Sequence, residues 1–363
     1  MTDVSVVIVC MNRPDNLYPC LESLRRHSSP GLEVETFVVA YLFDKQKLGQ
    51  AKADFPWVRF IESDEIRGFA ENNNLALRQA DSRYCFILND DTELSEDVIG
   101  RLVADMESLP EDAAIVCPRL VNADGSLQLC GRPEFTATKY ILQQFHLYSE
   151  PIDTALSYNP DAQTGAYKSS GHSGRMVRTC SISGAAFLIK TELFRRLGWF
   201  DERYFFTPED MALARLARVE GYSVWVDPEV SVTHKWHATA SAMMSATRPA
   251  AVRGSLIYFS EWRRPCLPQE ARIGDGDSCR RGCPGSIGRT VRYGILGIAV
   301  WTAEMAKRIK AALRYATDKS GDNYIKLLTF RNITRSIFTR RSPREIFVKH
   351  YLELREWQRR NKR

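Results

Sequence analysis

Tyr84-Cys85-Phe86-Ile87-Leu88-Asn89-Asp90-Asp91-Thr92 passes from an unbroken apolar run straight into an amide and two carboxylates. An apolar run without alternation is the pattern of a strand covered on both faces, and acidic side chains where it stops point into the crevice beyond the sheet. Two hard oxygen donors in that position suit Mg2+ or Mn2+, with substrate phosphates filling the remaining coordination positions. The same residues would also serve as an acidic turn capping a helix that begins near Ser95, so the stretch alone leaves both readings open.

Its neighbours extend the pattern. Val4 to Val9, Val34 to Val39, Val58 to Ile61 and Ala113 to Cys117 are similar short apolar runs, separated by helix-like segments at Leu17 to Arg26, Ala70 to Ala80 and Glu96 to Glu107. Alternating strand and helix signals of this kind predict a doubly wound α/β domain. Pro14 suits the opening of the first helix, which puts Asn12 and Arg13 at the C-terminal end of the first strand, where ligands of open α/β sheets collect. Between about Arg132 and Arg178 the pattern loosens into a long loop region. Periodic structure resumes at Ser181 to Ile189, with helices expected at Glu192 to Leu197 and Glu209 to Gly221 and strands at Ser223 to Val226 and Val230 to Thr233. Beyond Ala250 the chain reads as helical and basic, interrupted by a Pro-, Gly- and Cys-rich linker at Pro265 to Gly288.

Two further elements carry chemistry. Thr207-Pro208-Glu209-Asp210 follows the aromatic segment Tyr204-Phe205-Phe206, so a carboxylate pair meets an aromatic wall at a helix N-terminus. One of the two acids could take a proton from a sugar hydroxyl, although N-capping over an aromatic core would produce the same letters. Val232-Thr233-His234-Lys235-Trp236-His237 ends a strand in histidine, a residue able to complete a carboxylate metal site, with Lys235 available to neutralise phosphate.

Composition bounds the answer. Of 363 residues 44% are hydrophobic and 26% charged, ordinary usage for a folded chain and unlike a disordered or polytopic one. The net charge of +6 is unevenly spread: from Glu261 onward 24 Lys and Arg stand against 10 Asp and Glu, a net +14, which leaves the first 260 residues at −8. A basic segment carrying Trp301, Leu313, Tyr315 and Leu327 suits an anionic membrane surface, and nucleic acid is not expected as a partner. Nine cysteines, an odd number lying mostly in apolar runs, favour a reducing compartment, and the cluster Cys266, Cys279 and Cys283 lacks paired zinc-ligand spacing. With no leader pattern before Val4, the expected location is cytoplasmic, peripheral on the inner face of the cell membrane.

In order along roughly residues 3 to 260, Val4 to Leu17, Arg67 to Leu77, Leu88 to Leu94, Ser183 to Ile189, Gly198 to Phe205, Glu209-Asp210 and Val232 to His234 together resemble family 2 glycosyltransferases of the GT-A fold, especially the bacterial rhamnosyl- and galactofuranosyltransferase-like branch. The resemblance implies a Rossmann-like, mainly parallel sheet in a catalytic domain at 1–260, followed by a basic helical extension at 261–363. It implies an inverting, metal-dependent enzyme that moves a sugar such as rhamnose from a dTDP- or UDP-sugar to a glycan or lipid-linked acceptor in cell-envelope polysaccharide synthesis. Asp91 is then the direct metal ligand, joined by His234, with Asn89 a weaker neutral partner at the outer position of the motif. Asp210, beside Glu209, is the catalytic base. Arg67, Gly68, Asn72 and Asn74 belong to the loop that closes on the donor, and Asn12, Arg13, Asn89 and Asp90 complete the donor set. Trp199 and Phe206 are assigned to the acceptor side, with core packing an equal reading for Trp199. The family's acidic nucleobase reader after the second strand is missing; Tyr41, Phe43 or Asp44 stand near that place. A binding protein of the same fold without catalysis, suggested by Asn89 and the altered nucleobase loop, and a metal-dependent nucleotidyltransferase are the competing readings.

Overall fold

The computed structural model describes residues 2–132, 134–149, 167–168, 175–235, 240–261, 286–315 and 321–361. The expected α/β alternation is present: β1 (Val4–Cys10), α1 (Pro14–Arg26), β2 (Val34–Tyr41), α2 (Lys45–Asp54), β3 (Val58–Ser63), α3 (Phe69–Leu77), β4 (Tyr84–Asn89), β5 (Thr92–Leu94), α4 (Val98–Ser108) and β6 (Ala113–Val121). After α5 (Ala137–Gln144) come β7 (Tyr167–Lys168), β8 (Arg175–Thr179), β9 (Ala186–Lys190), α6 (Thr191–Arg196), α7 (Glu209–Val219) and β10 (Ser223–His234). Pro14 opens α1, whose last turn carries Arg25 and Arg26 against the negative end of the helix dipole. Asp44 caps α2 by accepting the N–H groups of Gln46 and Lys47.

Among the described residues the strands form one sheet in the order β3-β2-β1-β4-β9-β6-β10-β8-β7, with β5 on β10. β1, β2, β3 and β4 pair in parallel, whereas β9 runs antiparallel to both β4 and β6. β6 pairs in parallel with β10, so six strands share one direction and β9 is the reversed strand among them. The expected mainly parallel sheet is therefore present, with antiparallel pairings at β9, β5, β7 and β8. Two separate strands were also expected across Ser223 to Thr233; instead β10 is continuous, with a register shift between Asp227 and Ser231. Pro228, which has no N–H to give a ladder, sits in that irregular stretch. The strand residues Val6, Ile8, Phe37, Phe86, Ile115 and Leu188 are fully buried between the helical layers.

Four helices close the chain: α8 (Ala240–Glu261), α9 (Ser286–Tyr315), α10 (Gly321–Phe338) and α11 (Pro343–Asn361). The expected division after residue 260 falls at the end of α8, yet α8 packs with α9, α10 and α11, so the helical unit includes it. Val252, Leu256, Leu296, Val300, Ile333 and Ile337 form its core. It grips the α/β body: Phe347 stacks on Phe205 at 4.3 Å between centroids, and Arg344 pairs with Glu71 at 3.2 Å. Of the four residues expected at a membrane interface, Trp301 is tucked in, donating to Thr334 Oγ1 at 3.1 Å, Tyr315 faces Tyr324, Leu327 is half-buried, and Leu313 is exposed. The cluster Cys266, Cys279 and Cys283 and nearly all of the expected linker lie outside the described residues, as do Trp236 and His237.

Candidate active site

Because six strands point the same way, their C-terminal ends bring distant parts of the sequence to one edge. Asn12 and Arg13 follow β1, Asn89 to Asp91 end β4, and His234 ends β10. β9 is reversed, so it starts at this edge, where Ser183, Gly184 and Ala185 lead into it. The Asn89 N–H donates to Ala185 O at 2.9 Å, and the Gly184 N–H donates to Asp210 Oδ2 at 3.0 Å. Two adjacent residues thus join the acidic end of β4 to the acid at the start of α7.

Asp91 faces His234. Their Oδ1 and Nε2 atoms are 3.2 Å apart, and both side chains are largely buried. The protonation of the imidazole follows from its other side. Gln128 Nε2 donates to His234 O at 2.6 Å and to Asn122 Oδ1 at 2.7 Å, which fixes the orientation of the Gln128 amide. Its Oε1 then faces His234 Nδ1 at 2.8 Å and accepts the Nδ1–H. In the neutral ring that leaves the Nε2 lone pair aimed at a carboxylate oxygen. Asn89 Nδ2, an amide donor 3.5 Å from Nε2, agrees with this tautomer.

A lone pair facing a carboxylate needs a proton or a cation between them. Two cis ligands of an octahedral Mg2+ or Mn2+ stand roughly 3 Å apart, close to the spacing of this pair. Asp91 and His234 therefore fit a shared divalent cation, with Gln128 as the outer hydrogen-bond partner that metal-binding histidines usually have. Asn89 presents its amide nitrogen, so as placed it is no ligand. Among the described residues no group of three or more His, Cys, Asp or Glu converges as a metal cage. Asp90 turns towards Cys10 and Arg13. Burial, reinforced by the charge of Asp91, pushes its carboxyl up to about 7 against the opposing hydrogen bond from Cys10 and the charge of Arg13.

The second acid pair is divided in a similar way. Glu209 is buried, and its Oε2 has no hydrogen-bond partner. Burial and the adjacent Asp210 charge push it up to about 8, so it stays protonated near neutrality. Asp210 is half-exposed; besides the Gly184 contact, its Oδ1 accepts the Met211 N–H at 2.7 Å. This divides the two expected catalytic acids: Asp210 is partly exposed and Glu209 is buried. The turn before them holds Thr207 at φ 50°, a left-handed conformation unusual for a β-branched residue. Of the aromatic wall, Tyr204 and Phe205 are core, and Phe206 remains exposed.

The expected donor loop is built mainly to be rigid. A Cβ on Gly68 would lie 2.3 Å from Phe205 O, so only glycine allows the two backbones to meet, and the Phe69 N–H donates to that same oxygen at 3.0 Å. Asn72 accepts from Ser63 Oγ at 2.8 Å and donates to Gly68 O at 3.0 Å. Asn74 clamps Phe200 through both its N–H and its carbonyl, at 3.1 and 2.9 Å. Both amides are thus turned inward, and their effect on a donor would pass through the loop they hold. Arg67 reaches Ser63 and Glu65. Asn12 Oδ1 accepts the Asp44 N–H at 3.1 Å.

Three placements bear on base and acceptor recognition. Tyr41 and Phe43 are buried, and Asp44 is engaged as the α2 cap. Trp199 packs edge-on against Phe194 at 5.3 Å and lines a cavity of about 430 Å³ with Phe200, Glu202, Ala212 and Leu216. Lys235, expected to neutralise phosphate, pairs with Glu93.

Sequence reasoning missed Gln128 and the role of Gly184. Gln128 lies in a stretch with no motif, 106 residues from the histidine it orients. Gly184 was quoted only within Ser183 to Ile189; a glycine just before an apolar strand, in a chain that also carries a carboxylate pair, was the available hint.

Comparison with known proteins agrees with this architecture. Residues 5–153 match the family model "Glycosyl transferase family 2". Over 278 residues the chain is 24% identical to the O-antigen biosynthesis protein RfbC of Myxococcus xanthus, an alignment that covers 72% of this chain and 19% of that protein. The chain thus spans about a fifth of the length of this relative. Among solved structures, GalNAc-T7 with UDP, GalNAc and Mn2+ superposes with a TM-score of 0.52 at 14% identity, covering 72% of this chain and 48% of that one. The mannosyltransferase PcManGT of Pyrobaculum calidifontis, in complex with GDP-Man and Mn2+, gives 0.50 at 15% identity over 97% and 86%. At these identities the likeness to the solved structures concerns the fold, and the family match covers residues 5–153, the β1 to α5 region.

Proposed function

We propose that the protein is an inverting glycosyltransferase of polysaccharide assembly, moving a sugar from a nucleotide-diphospho-sugar to a hydroxyl of a glycan or lipid-linked acceptor. The observation that carries the reading is the link through Gly184 and Ala185, which sets a presented carboxylate, Asp210, at the same sheet edge as the Asp91–His234 pair. Inverting transfer needs these two functions side by side. The acceptor oxygen attacks the anomeric carbon while the bond from that carbon to the diphosphate oxygen breaks on the opposite face, and the hydroxyl proton must leave.

Asp210 takes that proton, for which its position in the cleft suits it. Glu209, its carboxyl pushed up by burial and by the adjacent acid, is not the proton acceptor. Asp91 and His234 would hold a divalent cation, which would supply positive charge against the departing nucleoside diphosphate. Asn89 lies beside that pair, and the loop from Arg67 to Asn74 shapes the floor under the donor. Phe206 offers an exposed ring to the acceptor.

The relative's name in O-antigen biosynthesis supports a polysaccharide product, and the Mn2+ and nucleotide ligands in the two structures support the donor class and the metal. Rhamnose from dTDP or a UDP-linked hexose are the donors to try first. The test is a panel of nucleotide-sugars incubated with Mn2+ or Mg2+, read as release of nucleoside diphosphate. Release that depends on Asp210 and on the metal supports the proposal; pyrophosphate release instead would point to nucleotidyl transfer, and binding with no turnover on any donor or acceptor would leave only a binding protein.

A further inference from the structure

The 30-residue helix α9 is apolar on two faces, and only one of them is covered. Leu296, Val300 and Ala303 are buried against the helical unit. On another face Ile287, Val291, Ile295, Ile298, Ile309 and Leu313 are each more than half exposed, and Met305 continues the line. At 3.6 residues per turn these positions fall within an arc of about 80°, and the row runs for roughly 39 Å along the helix. A surface helix normally buries its one apolar stripe. Leaving a second, continuous stripe in water marks a surface that something covers.

The charges on the helix indicate what that is. Its ionisable groups other than tyrosine are Arg289, Arg292, Lys307, Arg308, Lys310, Arg314 and a single acid, Glu304. Glu304 is 1% exposed and is neutralised from within by Arg248, Lys307 and Arg308. The other charged residues of the helix are all basic, within a C-terminal region of net +14. A second copy of the chain would bring two such basic regions together, whereas an anionic surface would be attracted to them. Among the described residues no helix is long and apolar enough to cross a membrane.

We propose that α9 is a membrane-docking helix that lies in the plane of an anionic lipid surface, its row of isoleucines seated among the acyl chains and the basic C-terminal region drawn to the headgroups. The inference rests on this helix and not on the transfer reaction, so either reading can fail while the other stands.

The full chain is mixed with sedimentable vesicles of phosphatidylcholine, with and without a quarter phosphatidylglycerol, and the bound fraction is measured. Binding to the anionic vesicles is expected, weaker to the neutral ones and reduced by high salt. Ile295→Glu/Ile298→Glu changes two exposed side chains, so the thermal transition should stay unchanged while vesicle affinity drops at least tenfold. Equal binding by the double variant, or no binding by the wild type, overturns the proposal. So does a wild type that sediments as a dimer without vesicles and becomes monomeric on the double substitution, since the stripe would then be a contact between copies. A second pair, Val291→Glu/Ile309→Glu, repeats the measurement at other points of the row, in case the first pair disturbs folding.

Discussion

Asp90-Asp91 and Glu209-Asp210 are both pairs of adjacent acids at one edge of the sheet, and burial treats them alike. In each, the first carboxyl is pushed up, to about 7 and about 8, and the second is the one turned to the cleft's other groups. What surrounds the second member differs. Asp91 faces an imidazole lone pair whose direction is set by Gln128; Asp210 faces the backbone N–H groups of Gly184 and Met211. What each second member faces, an imidazole in one pair and backbone N–H groups in the other, sets the two pairs apart, while burial raises the first member of each.

The sharpest way to break this division is Asp210→Asn. Loss of a general base should lower turnover by about a thousandfold, within the usual range of 10²–10⁴, while donor affinity measured by calorimetry stays within about twofold. Retained turnover would remove Asp210 from proton transfer.

Gln128→Leu tests the other half. Without its acceptor the ring of His234 is free to change tautomer, and Mn2+ affinity should fall roughly 10- to 100-fold, read from free Mn2+ by electron paramagnetic resonance in the absence of acceptor. Unchanged affinity would mean that Asp91 and His234 form an ion pair and nothing more.

Gly68→Ala drives a methyl group into Phe205 O, so the donor loop must shift. A stability loss of about 1–3 kcal/mol is expected, together with a higher KM for the donor; an unchanged melting temperature and KM would show that the loop is not pinned as described.

The smallest effect on turnover is expected for Glu209→Gln, which mimics the protonated acid and should leave turnover within about threefold. Its signature lies in stability. A carboxyl raised in the folded state contributes stability that is fully present below its unfolded value, near 4.3, and lost as pH rises through about 8. The melting temperature of the wild type should therefore fall more steeply than that of the variant over this window. Parallel curves would place an ionised Glu209 in the native state.

Much of this comparison was visible in the sequence. Continuous apolar runs marked β1, β4 and β6, because a buried strand has no polar face to interrupt it. The helix α2 was missed: KQKLGQAKAD has little amphipathic pattern, and its start depends on a single capping aspartate. The reversal of β9 was hidden as well, since Ala186 to Lys190 reads the same in either direction. At the site, Asp91, His234 and Asp210 stood out at the ends of strands and at a helix start. The partners that direct them, Gln128 and Gly184, come together only through folding. Asn72 and Asn74 show the opposite limit, because an asparagine turned inward to hold a loop looks in sequence like one turned outward to bind.

The position of β9 has a consequence for how the molecule is made. It lies between β4 and β6, although it follows both of them in the chain. While a ribosome has delivered residues only as far as the end of the family match at 153, those two strands have no partner for their facing edges. Open edges of that kind recruit strands from neighbouring chains. A nascent chain paused at that point is exposed to aggregation, and a clone cut at the family boundary would carry the same gap permanently.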